Sequence, residues 1–278
     1  MNYLREVFAS RELLANLTAR EIKGKYRRTV FGQLWSLANP LAQMIIYSFV
    51  FGLIFRANPP AGNPSGLNIF ALWLLCGLLP WIFFSTVITL GAGSLVANAG
   101  LIQKVYFTRI TLPLSIVGAS AYNWGFEMAV LLVALSIFGS FVLPWIPLVI
   151  VVMLLLAVFA AGLALMAAVA NVYFRDTEYL LTIALQIWMF LTPIIYPMSL
   201  VEKASTDVGG LLGTSVSLID LYRLNPMYHF VEVFRELLYD NRLPDPVQLL
   251  VCFAWATGSL VLGAFVFRRN ERNLAEAL

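Results

Sequence analysis

Glu127 is the only charged residue between Arg109 and Arg175. A carboxylate at the centre of a membrane helix costs about 3 kcal/mol even on lenient insertion scales, so it must face protein or water. Two readings fit it. In one it belongs to a pathway or gate; in the other it is a neutral or hydrogen-bonded carboxyl tying helices together, with Asn123 one turn before it as partner. A second constellation is basic: seven Lys/Arg fall within positions 1–28, ending in Lys25-Tyr26-Arg27-Arg28. Other chemistry is missing. No Gly-x-x-x-x-Gly-Lys-Ser/Thr phosphate loop occurs, and Gly24-Lys25 lacks the upstream glycine. No nucleophile elbow or His-Glu-x-x-His is present. His229 is the lone histidine and has no Cys, His or carboxylate at metal spacing, which argues against a zinc site. Cys76 and Cys252 lie in apolar runs and read as small buried hydrophobes. The close acidic pair Asp176 and Glu178 stands beside Arg175 and reads as a helix-turn ion pair.

The elements that must position Glu127 and the basic cluster follow from composition. Hydrophobic residues make up 60% of the chain and charged residues 12%. Soluble domains carry about 25% charged residues. Most of the surface must therefore face lipid or other helices. Uncharged runs cover 29–55, 57–103, 110–126, 128–174, 179–201 and 246–267. They are apolar all round rather than alternating, so they form helices that satisfy their own backbone polar groups in hydrocarbon. The pattern predicts an all-α polytopic protein with six spans: 36–55, 69–92, 111–139, 147–170, 179–197 and 246–267. Asn58-Pro59-Pro60-Ala61-Gly62-Asn63-Pro64 separates the first two as a loop. An even number of spans puts both termini on one side. The segments on that side hold thirteen Lys/Arg and the opposite segments five, which makes the termini cytoplasmic. Positions 1–28 carry ten charges and no apolar core, so they read as retained and structured rather than as a signal peptide.

Three non-spanning pieces remain. In 3–28, Leu4, Val7, Phe8, Ala15 and Ile22 share a helical face, with Arg11 intruding and Leu13 and Leu17 off it. This predicts an imperfect interfacial helix. The segment 93–110 is too polar to cross and too apolar for a free loop, and suits a short cytoplasmic helix lying on another surface. In 198–245, Asn225-Pro226 forms a helix start, with a capping side chain before proline at the first helical position. Met227, Phe230, Val231, Phe234, Leu237 and Leu238 then recur at spacings of three and four. A helix of about 14 residues reaches ~21 Å, short of ~30 Å of hydrocarbon, so it lies in the outer interface or dips in and returns. The aromatic residues, among them Trp35, Trp73, Trp81, Phe84, Trp124, Trp188 and Tyr196, read mostly as interface belts and packing. A minority could line a path, since flat apolar rings stack on the C–H faces of sugars.

These segments together resemble a known family, the membrane subunits of bacterial ABC-2 type exporters of lipid-linked polysaccharide (O-antigen, capsule, teichoic acid). Leu17 to Arg28 running into Phe31-Gly32-Gln33-Leu34-Trp35 and Asn39-Pro40 is similar to the family's interface helix and its passage into span one. Asn98 to Pro113, Asn171 to Asp176, Leu191 to Pro197 and Leu224 to Leu238 resemble its coupling segment, the turn after span four and its outer re-entrant region. Thr108 departs from the family, where proline is frequent, and puts the local bend of the coupling segment in question.

The resemblance implies one transmembrane domain over 1–278. In it 1–35 is a cytoplasmic helix and loop, 36–197 spans one to five, 198–245 the outer re-entrant region, 246–267 span six and 268–278 a cytoplasmic tail. It further implies a homodimer in the bacterial inner membrane with two separate ATPase subunits. ATP and Mg²⁺ would then sit on those partners, with no cofactor or metal on this chain, no catalysis by it alone and no nucleic acid. Asn98, Leu101, Lys104, Tyr106, Phe107 and Arg109 would couple to the ATPase. Lys25, Tyr26, Arg27, Arg28, Phe31, Gly32 and Trp35 would meet a lipid headgroup, although the basic ones also fit ordinary anchors to anionic lipid, worth about 1 kcal/mol each. Trp81, Phe84, Glu127, Trp188 and Tyr196 would line the path, with Asn225, Pro226, Phe230 and Phe234 at an outer gate. The rival readings are an ABC-2 exporter of a drug or simple lipid, an intramembrane glycan-transferring enzyme, and a channel, which lacks any filter-like segment.

Overall fold

The computed structural model describes residues 10–25, 29–54, 60–105, 107–208, 217–271 and 273–274. Every regular element among them is helical: α1 Arg11–Lys25, α2 Trp35–Tyr47, α3 Phe70–Ala97, α4 Ala99–Lys104, α5 Thr111–Ile137, α6 Ile146–Tyr173, α7 Thr177–Phe190, α8 Met198–Val208, α9 Leu218–Leu224, α10 Pro226–Arg235 and α11 Pro246–Asn270. A π-helical turn, Ser48–Ile54, extends α2, and another, Glu236–Asp240, extends α10.

Five stretches are long and apolar enough to cross a bilayer: Gly32–Ile54, Phe70–Ala97, Thr111–Ile137, Leu143–Tyr173 and Pro246–Asn270. The expected span 179–197 is not a single helix. It is represented by α7, which reaches only about 21 Å at about 1.5 Å per residue. Turns over 191–196 follow it. Pro193 accounts for the stop, because it has no N–H to continue the ladder and disfavours helical backbone at Thr192.

The centre of the bundle is α3, buried over 78% of its most apolar window, whereas α2 is buried over only 6%. Side-chain contacts fix the directions. Phe84 stacks on Phe159 at 5.4 Å, and further along Asn171 donates to the Ala92 carbonyl (3.1 Å), so α3 and α6 run parallel. Ser259 donates to the Phe159 carbonyl and Tyr173 to Asn270, so α6 and α11 are parallel as well. Their backbones touch at Gly162 and Gly263, where a methyl on either would overlap the backbone of the other helix. Since α6 and α11 share a direction, residues 174–245 return the chain from the end of one to the start of the other.

One end of the bundle carries α1, α4 and the last turn of α11; we call it the basic end. At the opposite, far end, the loop after α2 is pinned to the π turn of α10. There Tyr239 accepts from the Ile69 N–H (3.1 Å) and donates to the Leu67 carbonyl (2.9 Å), while the Ser65 N–H reaches the Asp240 carbonyl (3.0 Å). Asn241 then stops the helix at φ 62°. This is the left-handed conformation that asparagine tolerates.

Candidate functional site

At the basic end the expected coupling segment is a built structure. Asn98 joins α3 to α4, its amide donating to the Ser94 carbonyl (2.9 Å) and its side-chain carbonyl accepting from Arg20 of α1 (2.8 Å). Ser10 and Thr108 share a hydroxyl hydrogen bond (2.9 Å). The Arg109 N–H donates to the Glu271 carboxylate (3.2 Å), and its guanidinium donates to the Glu271 carbonyl. A separate apolar cluster lies beneath, combining Leu17, Leu95, Ile102, Ile110, Leu165, Val172, Phe267 and Leu274, with Leu101 and Phe107 against it. Lys104 stays exposed. Tyr106, expected in this group, falls outside the described residues, as do Tyr26, Arg27 and Arg28.

The expected face of the first helix needs correcting. Leu17, which lay off the chosen stripe, is the buried residue of α1, with Leu13 beside it, while Ala15 is exposed and Ile22 half-buried. Thr18 faces Gly118 of α5, where a Cβ would come within 3.0 Å. The polar-looking side of α1 is thus its protein-packing side; Leu4, Val7 and Phe8 lie outside the described residues.

Between α1 and α2 the chain turns at Gly32 (φ +52°), and Phe31 packs edge-on against Trp35 at 5.7 Å, both well exposed. Next to this turn α2, α3 and α5 enclose a cavity of about 400 Å³. Lys25 and Thr29 line it together with Trp35, Ser36, Asn39, Phe83, Thr86, Ser120, Asn123, Trp124 and Glu127. The Asn123 amide donates to Ala119 in its own helix (3.1 Å), so the expected Asn123–Glu127 bond is not formed. Glu127, 7% exposed, has no hydrogen-bond partner among the described residues. Ser36 Oγ, Asn123 Oδ1 and Trp124 Nε1 are buried without one too.

The far end is organised around a residue the sequence reading passed over. Arg235 is almost fully buried, donates to the Pro193 (2.6 Å) and Ile194 (2.7 Å) carbonyls, pairs with Glu232 (3.2 Å), and lies 3.7 Å above the Trp73 ring. These two carbonyls belong to the turn that ends α7, so one guanidinium fastens that turn to α10 and α3. The available signal was Arg235 standing four after Val231, on the edge of an otherwise apolar stripe. Every member of the predicted stripe from Met227 to Leu238 is fully buried. Asn225 caps α10 through Met227 N–H (3.0 Å), accepts from Trp188 Nε1 (2.8 Å), and donates to Thr192 (2.9 Å). Pro226 follows it at the first helical position. Trp81, Phe84 and Trp188 pack on one another, with Phe159 and Phe230 extending the cluster, and Phe234 packs edge-on to Trp124. Tyr196 donates to the Phe190 carbonyl (2.6 Å) and meets the Tyr222 hydroxyl at 2.8 Å. In the single chain these expected path and gate aromatics are packing residues.

Charge pairing completes the far end. Glu236 accepts from Arg242 (2.7 Å). Burial pushes the carboxyls of Glu236 and Asp240 up, and the Arg242 guanidinium opposes the rise in both. His229 donates to the Arg223 carbonyl (2.8 Å). Cys76 and Cys252 are buried free thiols. Beside Arg175, the expected ion pair is replaced: Glu178 accepts from Asn171 (2.8 Å), whose buried amide also serves Ala92.

Comparison with known proteins adds to this geometry. The family described as ABC-2 type transporter matches residues 12–239. An "O-antigen export system permease protein RfbA" from Myxococcus xanthus is 30% identical over 275 residues, covering 99% of this chain and 98% of the relative. A protein of the same name from Klebsiella pneumoniae is 28% identical over 96% of this chain and 95% of its own length. "Polysialic acid transport protein KpsM" from Escherichia coli is 24% identical, with 92% of each chain covered.

Proposed function

The chain belongs to the ABC-2 type transporter family, and on that premise we propose that it is the permease subunit of an ATP-driven exporter of lipid-linked polysaccharide. The observation that carries this reading is similarity along nearly the full length to permeases named for O-antigen export and polysialic acid transport. The chain is a transport component and not itself an enzyme; ATP is hydrolysed by partner subunits. Six crossings with both ends in the cytoplasm accommodate the parallel run of α6 and α11, the fifth crossing being α7 completed by the 191–197 turn. The basic end then faces the cytoplasm, as the excess of Lys/Arg on that side favours.

Two copies and two ATPase subunits make the working unit in this proposal. The ATPases dock on α4 and the 105–109 segment, and closure on ATP pulls there. Arg20–Asn98, Ser10–Thr108 and Arg109–Glu271 join that segment to α1 and the end of α11, so the pull moves several helices together. Lys25 to Arg28, with Phe31, Gly32 and Trp35, receive the carrier's phosphates from the inner leaflet. The almost unburied α2 and the exposed side of α7 leave surface for the partner copy and the path between copies. Trp81, Phe84, Trp188 and Tyr196 support that path from behind, and Asn225, Pro226, Phe230 and Phe234 hold its outer rim.

Purification of the tagged chain from its own membranes tests this. The reading expects an ATPase with a phosphate-binding loop to copurify and its turnover to rise with lipid-linked glycan. Recovery of the chain with no such ATPase defeats it.

A further inference from the structure

We propose that Glu178 is a positioning residue for export: its carboxylate seats the basic end of α7 on α3 and α6, and α7 swings about its far end when that bond opens. It rests on the reading that α7 borders the path between copies. Glu178 Oε1 accepts from the Asn171 amide (2.8 Å), whose nitrogen also donates to the Ala92 carbonyl (3.1 Å). Asn171 is buried, so one amide in α6 joins all three helices. Gly93 makes room for the carboxylate, since a Cβ there would come within 2.9 Å of Glu178 Oε1. Among the described residues outside its own helix, only that carboxylate lies within 4 Å of such a Cβ. Alanine is the better helix former at an interior position, so glycine at 93 works against α3 and in favour of the seat.

The two ends of α7 are held unequally. At the far end Arg235 donates to the Pro193 and Ile194 carbonyls. Asn225 there donates to the Leu191 carbonyl (3.2 Å) and the Thr192 hydroxyl (2.9 Å) and accepts from Trp188 (2.8 Å). At the basic end, among the described residues, the first two turns of α7 have one side-chain hydrogen bond to another helix, the one between Asn171 and Glu178. Tyr179, Leu180 and Ile183 beside it are exposed, and the first fully buried residue of α7 is Leu185. Glu178 is exposed as well, so water takes over its carboxylate as the bond opens and the net cost is small. A helix held by five bonds at one end and by one at the other parts first at the single one. Ala92 and Gly93 lie within two turns of Asn98, where α4 begins, so a pull on α4 bears on the seat itself.

The test uses the permease with its ATPase subunits in lipid nanodiscs. Spin labels replace Leu90 and Leu180 at the basic end, or Phe190 and Leu224 at the far end, all four of them exposed. Labelled chain is diluted with unlabelled chain so that each dimer holds one pair. On trapping with ATP and vanadate, the basic-end pair should gain a longer distance while the far-end pair keeps its own. Without nucleotide, Glu178→Ala and Gly93→Ala should each raise the population at that longer distance about tenfold or more, the worth of one hydrogen bond to a charged group. Glu178→Gln keeps an acceptor and should stay near wild type. Gly93→Ala removes no atom and favours the helix, so its unfolding midpoint should match or exceed that of wild type, which separates positioning from loss of fold. A basic-end distance unchanged by trapping, or unchanged by both alanine substitutions, overturns the role of Glu178. A far-end pair that shifts as much as the basic-end pair overturns it too. These results leave the export reading standing, whereas a chain that recovers no ATPase defeats that reading and the role with it.

Discussion

Two regions of this bundle differ in how far their buried polarity is paired. At the far end Arg235, Glu236, Asn225, His229 and Tyr239 are each held by at least one protein partner, and Arg235 alone reaches two carbonyls, a carboxylate and an aromatic face. Beside the cavity between α2, α3 and α5, the Ser36 hydroxyl and the Trp124 indole N–H have no hydrogen-bond partner among the described residues and Asn123 uses only half of its amide. Both arrangements sit among apolar helices, where an unpaired polar group is costly. Polarity that is paired builds the frame. Pairing is incomplete in both, since Arg235 Nε, Glu236 Oε2 and His229 Nδ1 are also buried without a partner among the described residues.

Breaking the frame should have the largest effect. Arg235→Met strands the Pro193 and Ile194 carbonyls and frees the turn after α7, at a cost of about 3 kcal/mol or more. The expected outcome is little folded protein in the membrane and a lowered unfolding midpoint in detergent; wild-type values for both would remove Arg235 from the frame. Asn225→Ala should come next at about 2 kcal/mol, combining a lost helix cap with an orphaned Trp188 indole N–H. Its stability is read in the same unfolding assay.

Glu127→Gln sharpens the contrast from the other side. It keeps the shape of a residue that has no hydrogen-bond partner among the described residues, so protein amount and midpoint should match wild type while surface glycan falls several-fold. Full export by this variant would assign Glu127 to the frame. Arg109→Ala should loosen the coupling segment from Glu271, leaving basal ATP hydrolysis in place but weakening its stimulation by lipid-linked glycan; unchanged stimulation would leave the contact structural.

The smallest effect is expected at Asp220. Hydrogen bonds from the Ser217 backbone and side chain hold its carboxyl below the ordinary aspartate value, and the two residues form a capping box on α9. A depressed folded value means the cap is at full strength above the ordinary range and is lost as pH falls through the depressed one. Amide protection over 218–224, corrected for the intrinsic pH dependence of exchange, should therefore fall at acid pH in wild type and show no such fall in Asp220→Asn.

Much of the frame was legible in the residues. Asn225-Pro226 and the apolar spacing from Met227 to Leu238 announce α10, because capping and periodicity are local properties. The Pro- and Gly-rich loop before α3 and the long apolar runs are equally local. What escaped depends on neighbours distant in sequence. Arg235 looks like a surface charge until the 193–194 carbonyls and the Trp73 ring are brought around it. Leu13 and Leu17 lie off the stripe that suits a lipid surface, whereas α1 packs on α5 and the end of α3. Glu178 turned from Arg175 to Asn171 because a buried amide between α3 and α6 needs acceptors. The cavity shows the same limit. Glu127 was visible as an exception with Asn123 one turn before it, but Ser36 and Trp124 joined them only once α2, α3 and α5 were packed.

The central claim is that this chain carries lipid-linked glycan across the membrane. The most direct measurement is depletion of the chain in its own cells, with surface polysaccharide and its lipid-linked precursor quantified together. Export through this chain predicts that surface polysaccharide disappears while the lipid-linked glycan accumulates on the cytoplasmic leaflet. Surface polysaccharide that persists at its normal level, with no build-up of precursor, would contradict it.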